Sequence, residues 1–330
     1  MPAAESPVRP ASTAGRSRVA ARSGWRRLTL AHDLLVLARP NQWPKNFLVV
    51  PLVLLADPVW SSAAVVRVIA AAMAFTVCSA FTYVVNDLHD RHSDQTHPVK
   101  SRRPIAAGRV SPLLAWAYAA GLGCLAGALI GFLSPARSWP VLGYLLLGMC
   151  YSRWLKHVPL VDVFVIATGF LLRIGEGFLV TGTPLSSWLP ICVLCLCLLF
   201  ILGKRRHELV ASGARYRRAL SGYSVQLIDL LMMLTAVLSI TTYLLFLAQQ
   251  APLGHYARID TLLCAPFAIF GVFRYLQLLV VHRDGDDPVR LLIRDRTLVA
   301  NSLVLAALQA AALLAAHYAP LTQSVMHKVV

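Results

Sequence analysis

The chain has 330 residues, 57% of them hydrophobic and 14% charged. A soluble domain of this length carries about a quarter charged residues, so a water-soluble globular fold is excluded. Its formal net charge is +16, but the basic residues sit in short stretches between long apolar runs and form no nucleic-acid-binding module, so no nucleic-acid partner is expected.

Residues 1–38 read as a basic cytoplasmic tail. The first 31 are rich in Ala, Ser and Arg, with Glu5 as their one acid. A disordered tail lying on anionic headgroups is expected there rather than a transit peptide. Arg39-Pro40-Asn41-Gln42-Trp43-Pro44-Lys45-Asn46 follows. Trp43 suits an interfacial anchor. Lys45 and Asn46 sit at a helix start, whose amides favour an anion; Arg39 and Lys45 serve equally as plain topology charges.

A transmembrane domain is expected over 39–320, followed by a short tail at 321–330. A bilayer crossing takes ~20 apolar residues, and about nine spans are expected: 44–57 (short), 63–86, 112–134, 138–154, 160–181, 187–203, 225–249, 259–281 and 297–317. Backbone groups in lipid must pair internally, so the spans are helices and the class is all-α integral membrane. The alternating pattern of a membrane β-barrel is absent. The N-terminal stretch and the loops after the second, fourth, sixth and eighth spans hold 25 of the 31 Lys and Arg; the opposite side holds Arg67, Arg137, Arg258 and Lys328. The positive-inside rule places the N-terminus in the cytoplasm and the C-terminus outside. All seven Cys fall inside spans, where small apolar packing is their ordinary role, and no disulfide framework is implied.

The second span ends in Asn86-Asp87-Leu88-His89-Asp90-Arg91-His92-Ser93-Asp94. Steps of three and four residues place Asp87, Asp90 and Asp94 on one face of a helix. Three acids this close repel one another unless a cation lies among them. Oxygen ligands on one face suit Mg²⁺, which takes one or two carboxylates and completes its shell with substrate phosphates. Pro98 should end the helix, and Lys100, Arg102 and Arg103 follow on irregular backbone. Acids holding a cation beside basic residues are the arrangement a diphosphate needs; the bland alternative is a solvated loop of mixed charge.

Further along, Tyr151-Ser152-Arg153-Trp154-Leu155-Lys156-His157-Val158-Pro159 forms a short loop, with Asp162 just beyond. Arg173 and Glu176, three apart, can pair on one helical face. An Arg inside a span costs ~2.5–3.5 kcal/mol on insertion scales, so it should face the bundle interior or a wet cavity. The sixth span ends in Lys204-Arg205-Arg206-His207-Glu208, with Arg215, Arg217 and Arg218 beyond it. The eighth is followed by Gly285-Asp286-Asp287-Pro288 and Asp295-Arg296.

These stretches carry a resemblance. Asn86, Asp87, Asp90 and Asp94 match the first Asp-rich motif, N-D-x-x-D-x-x-x-D, of the UbiA superfamily of intramembrane prenyltransferases, and the expected nine helices match its fold. The likeness runs from about Arg39 to the ninth span. Within the superfamily the chain looks most like the decaprenyl-phosphate phosphoribosyltransferases. Arg39-Pro40-x-Gln42-Trp43-x-Lys45-Asn46, Tyr151-Ser152-x-x-Leu155-Lys156-x-x-Pro159-x-x-Asp162 and Gly203-Lys204-Arg205 carry that similarity. One feature departs from the aromatic prenyltransferases: their second motif, D-x-x-x-D, would begin at Asp162, but Ile166 stands four residues later.

The resemblance implies a Mg²⁺-dependent enzyme of the bacterial cytoplasmic membrane, its active site facing the cytoplasm. It would join 5-phosphoribosyl 1-diphosphate to a polyprenyl phosphate for cell-envelope glycan precursors. Asp87, Asp90 and Asp94, with Asn86, would hold the metal. Lys45, Arg102, Arg103, Lys156, Lys204 and Arg205 would take phosphates. Gln42, Asn46, Lys100, Tyr151, Asp162 and Arg173 would complete the substrate site. The resemblance further implies a homo-oligomer, a trimer being the expected form. Competing readings are an aromatic prenyltransferase of a quinone or haem pathway, a lipid-phosphate transporter, and a catalytically silent scaffold.

Overall fold

Apolar runs that cannot bond to water close their hydrogen bonds within themselves, and the computed structural model is helical throughout. It describes residues 29–49, 61–96, 98–134, 136–213, 218–281, 291 and 293–329, and no strand occurs among them. The helices are α1 (29–37), α2 (Ser62–His89), α3 (Arg91–Gln95), α4 (Pro112–Leu133), α5 (Trp139–Arg153), α6 (Val161–Thr181), α7 (Trp188–Ser212), α8 (Val225–Gln249), α9 (Ala257–Val280) and α10 (Arg296–Val329).

Among the described residues, α2, α4, α6, α7, α8, α9 and α10 are long and apolar enough to cross a membrane, seven in all. Two of the nine expected crossings take other forms. The fourth is α5, whose 15 residues rise ~23 Å against a hydrocarbon core of ~30 Å. The first begins as a 3-10 helix, Pro40–Val49, with Pro44 inside it; residues 50–57 lie outside the described residues. So do residues 1–28, Arg215, Arg217 and the 282–290 loop containing Gly285-Asp286-Asp287-Pro288. α1 lies inside the stretch read as a tail. Large apolar side chains such as Leu113, Leu262 and Phe273 are well exposed; in a bilayer, lipid is their solvent.

The chain divides into two compact units. The first comprises Met1–Trp43 and Ser79–Cys124. Its core gathers Leu37 of α1, Val84 and Leu88 of α2, Ile105 and Val110 of the following loop, and Ala115 and Ala119 of α4. Asp33 of α1 pairs with Arg109 at 3.0 Å, and Arg109 also donates to the Arg102 carbonyl at 3.2 Å. The loop after α3 is thereby tied to α1.

The second unit comprises Pro44–Cys78 and Leu125–Val330. Within it α6 packs on α5 and α7, α7 on α8, and α9 on α8 and α10. Buried hydroxyls do not compete with the packing: Thr235, Ser239 and Thr242 return their protons to carbonyls three or four residues back. Ser224 caps α8 by accepting from Leu227 N at 3.1 Å, worth about 1 kcal/mol. Gly222 is required by close approach, since a Cβ there would lie 2.3 Å from Pro159 Cγ. α5 carries an exposed tryptophan at each end, Trp139 inside its first turn and Trp154 just past its last.

Candidate active site

The first unit builds the acidic site from the end of α2. Apolar residues hold α2 helical up to Val85, and the helical phase persists beyond it: Asp90 N donates to Asn86 O at 2.9 Å and Asp94 N to Asp90 O at 2.8 Å. The side chains of Asp87 and Asp94 therefore return to one face, and both are buried. Arg103 meets them from the loop, its Nη1 donating to Asp87 Oδ1 at 3.0 Å and to Asp94 Oδ2 at 2.7 Å. A turn fixes Arg103: its amide bonds to Lys100 O at 2.9 Å and its carbonyl accepts from Ala107 at 2.8 Å.

Arg39 is the second cation on Asp87, with Nη2 2.6 Å from Oδ1. Its guanidinium lies over the Tyr83 ring at 4.5 Å. Arg39 has a left-handed backbone, φ +52°, which costs a non-glycine residue ~1–2 kcal/mol. The sequence reading missed this role; the signal available was its place at the head of Arg39-Pro40-x-Gln42-Trp43. Asp90 faces another partner, accepting from Asn86 Nδ2 at 3.1 Å. Arg102 is exposed, and Lys100 and Gln42 are half-buried.

Of the three expected carboxylates, two share a cation in this structure. Among the described residues no three His, Cys, Asp or Glu side chains are grouped to hold a metal; Asp90, at the break between α2 and α3, turns to Asn86. Asp87 and Asp94, however, each aim an oxygen at one positively charged nitrogen. Two carboxylates converging on one cationic centre fit the share of its shell that Mg²⁺ usually takes from protein.

The second unit gathers the other expected residues into two separate networks. Asp162, at the start of α6, is fully buried and accepts from Arg205 Nε at 2.9 Å and from Tyr223 Oη at 2.9 Å. Arg205 also bonds Glu208 at 2.7 Å. This buried pair braces α6 against α7, and Arg205 does not present an open cation, contrary to the phosphate-binding expectation. Burial pushes the Tyr223 phenol up to about 12. Its oxygen accepts from Leu160 N at 2.8 Å, fixing a left-handed residue (φ +65°) between Pro159 and α6. Tyr151 lies close enough to act electrostatically on Arg205. Lys204 is exposed and Lys156 half-buried.

The second network centres on Arg173, which donates to Asn46 Oδ1 at 2.8 Å and to Gly169 O at 2.7 Å. The Tyr144, Phe170 and Phe75 rings surround its guanidinium at 4.4, 5.3 and 5.5 Å. Asn46 in turn donates to Thr76 at 3.0 Å. The Arg173–Glu176 pairing that the spacing allows does not form among the described residues. Three aromatic faces and an amide oxygen satisfy the arginine instead, and both Glu176 oxygens are buried without a partner among the described residues. Lys45 is half-buried, and its charge, like that of Arg173, reaches Cys197.

Comparison with known proteins follows this geometry. The model of the UbiA prenyltransferase family matches residues 46–293. The decaprenyl-phosphate phosphoribosyltransferase of Mycobacterium tuberculosis is 32% identical over 270 residues, 79% of this chain and 87% of that protein. The enzyme of that name from Corynebacterium glutamicum is 30% identical over 281 residues, 82% and 83%. A protoheme IX farnesyltransferase of Pseudomonas putida is 28% identical over 125 residues, 36% of this chain and 37% of that protein. Among solved structures, a UbiA homologue from Archaeoglobus fulgidus bound to GPP and Mg²⁺ matches with a TM-score of 0.62 at 20% identity, covering 86% of this chain and 99% of that one.

Proposed function

The chain belongs to the UbiA prenyltransferase family, and from that premise we propose that it transfers 5-phosphoribose from 5-phosphoribosyl 1-diphosphate to a polyprenyl phosphate, releasing diphosphate. The observation that carries the site assignment is the meeting of Asp87 and Asp94 on one nitrogen of Arg103. The substrates rest on the relatives named decaprenyl-phosphate phosphoribosyltransferase, which match over about four-fifths of the chain. The haem farnesyltransferase match spans about a third of it.

Asp87 and Asp94 would hold the divalent cation that the family's solved homologue carries. When bound, Mg²⁺ supplies positive charge to the departing diphosphate. Arg103 and Arg39 hold the two buried acids turned to the site through short charge-assisted hydrogen bonds, and they provide further positive charge for phosphate oxygens. The bond from ribose C1 to the diphosphate oxygen breaks, and an oxygen of the lipid phosphate bonds to C1. That phosphate is already anionic at neutral pH, so no side chain need remove a proton from it. Asn86 positions Asp90 across the last turn of α2. On sequence grounds Lys45, Lys156 and Lys204 are the remaining cations for phosphates, at a site facing the basic side of the membrane.

The experiment is reconstitution in vesicles with labelled phosphoribosyl diphosphate and polyprenyl phosphate, run beside an allylic diphosphate with an aromatic acceptor. Labelled lipid in the first pair alone upholds the reading. Product from the second pair alone assigns the chain to aromatic prenyl transfer. Full transfer by Asp87→Ala would remove the metal assignment.

A further inference from the structure

We propose that the turn between α2 and α3 carries, on the side away from its acids, a binding site for the headgroup of an anionic glycerophospholipid. Within the first unit the turn has two chemically different faces. Asp87 and Asp94 are buried against Arg103, whereas the intervening His89 and His92 are exposed and Arg91 is half-buried. Those three residues, with Leu88, Pro112 and Trp116, line a cleft of about 350 Å³.

The basic residues of the cleft are partly ordered before any ligand arrives. His89 Nδ1 lies 2.9 Å from the Val85 carbonyl, and the ring meets Trp116 edge-on with centroids 6.4 Å apart. Arg91 Nε donates to His92 Nε2 at 3.0 Å, which orients the guanidinium. No carboxylate pairs with Arg91 among the described residues. An always-charged, oriented arginine without an anion is suited to phosphate.

The position selects a lipid. α2 and α4 both qualify as membrane spans; the cleft lies where α2 ends, at His89, and within the first turns of α4, which begins at Pro112. That is headgroup level. Trp116 is half-exposed there, as interfacial indoles are, and offers an apolar surface to the glycerol and first acyl carbons. The basic residues of the cleft lie where the phosphate of the same molecule would be. A lipid held there would rest on the back of the segment that carries the acidic motif.

The test uses the full chain in phosphatidylcholine nanodiscs doped with brominated phosphatidylglycerol or brominated phosphatidylcholine. Trp116 emission is obtained as the difference between wild type and Trp116→Phe. One basic side chain's attraction to anionic lipid predicts half-quenching at about fivefold lower mole fraction of the phosphatidylglycerol. Arg91→Gln with His92→Gln should erase that preference while quenching by phosphatidylcholine persists, which also shows that the variant is folded. Equal quenching by both lipids in wild type would overturn the proposal, as would an undiminished preference in the double variant. Relief of quenching by millimolar inorganic phosphate or by trace polyprenyl phosphate would reassign the cleft to those anions and equally refute it.

Discussion

Replacing Arg103 by Met tests the electrostatics of the acidic site directly. The substitution keeps most of the apolar stem and deletes two charge-assisted hydrogen bonds, at 3.0 and 2.7 Å, to carboxylates whose side chains are 4% and 3% exposed. Bonds to charged groups contribute ~1.5–3 kcal/mol each, and an orphaned buried charge costs ~3–5 kcal/mol. Arg103 itself is a quarter exposed, and Arg39 still covers Asp87, so the lower end, ~3 kcal/mol, applies. In a chain this large that lowers the thermal midpoint by on the order of 5 °C. Because the two acids then lack their shared cation, Mg²⁺ should restore much of the loss, and should stabilise the variant more than wild type. The assay is thermal unfolding in detergent with and without millimolar Mg²⁺, alongside phosphoribosyl transfer. Adding Asp87→Asn and Asp94→Asn should remove the response. An Arg103→Met protein that melts like wild type and ignores Mg²⁺ would refute the assignment of Asp87 and Asp94 to a common cation.

Three further outcomes follow from the second unit. Glu176→Met should leave stability unchanged or raise it, by up to ~1–3 kcal/mol, because it removes two buried oxygens that have no partner among the described residues; a lowered thermal midpoint would show that the carboxyl has an essential partner. Tyr223 has its phenol raised to about 12 from an ordinary value near 10. Its contribution is complete below about pH 10 and is lost as pH climbs through about 12, so wild type should lose stability across that window and Tyr223→Phe should show a shallower slope in alkaline thermal scans. Gly222→Ala must displace Pro159, which would sit 2.3 Å from the new Cβ. A loss of ~1–3 kcal/mol is expected, and a midpoint equal to wild type would show that the 218–222 turn is free to move.

The acidic site was legible as far as local geometry reaches. Spacing alone put Asp87 and Asp94 on one face, because helical phase is a property of neighbouring residues and survives the break at Asp90. What spacing could not give was each side chain's choice of partner. Asp90 turned to Asn86, four residues back, and left two acids where three were expected. Arg103 belonged to the right loop, but its place between two carboxylates depends on a turn and on the Asp33–Arg109 tie, neither of which is visible as a pattern. Arg39 looked like a topology charge because its role depends on a residue 48 positions away. The Arg173–Glu176 reading failed for the opposite reason. Adjacency on a helix permits a pair without requiring it, and three aromatic rings with Asn46 offered the guanidinium more than one carboxylate. Apolar runs located the spans well: the expected crossing at 138–154 is the helix Trp139–Arg153, its ends set by the polar residues Arg137 and Ser138 on one side and Lys156 and His157 on the other.

The two tryptophans that flank α5 would set the local thickness of a bilayer that this helix crosses. Indoles favour the interfaces, and the 15 residues of α5 rise only ~23 Å, so hydrocarbon beside this helix would be thinned by several ångströms. Lipids with short or unsaturated chains fill such a dimple more cheaply than long saturated ones. Bilayer thickness would then tune this protein independently of its substrates, and host membranes of different thickness should support it unequally.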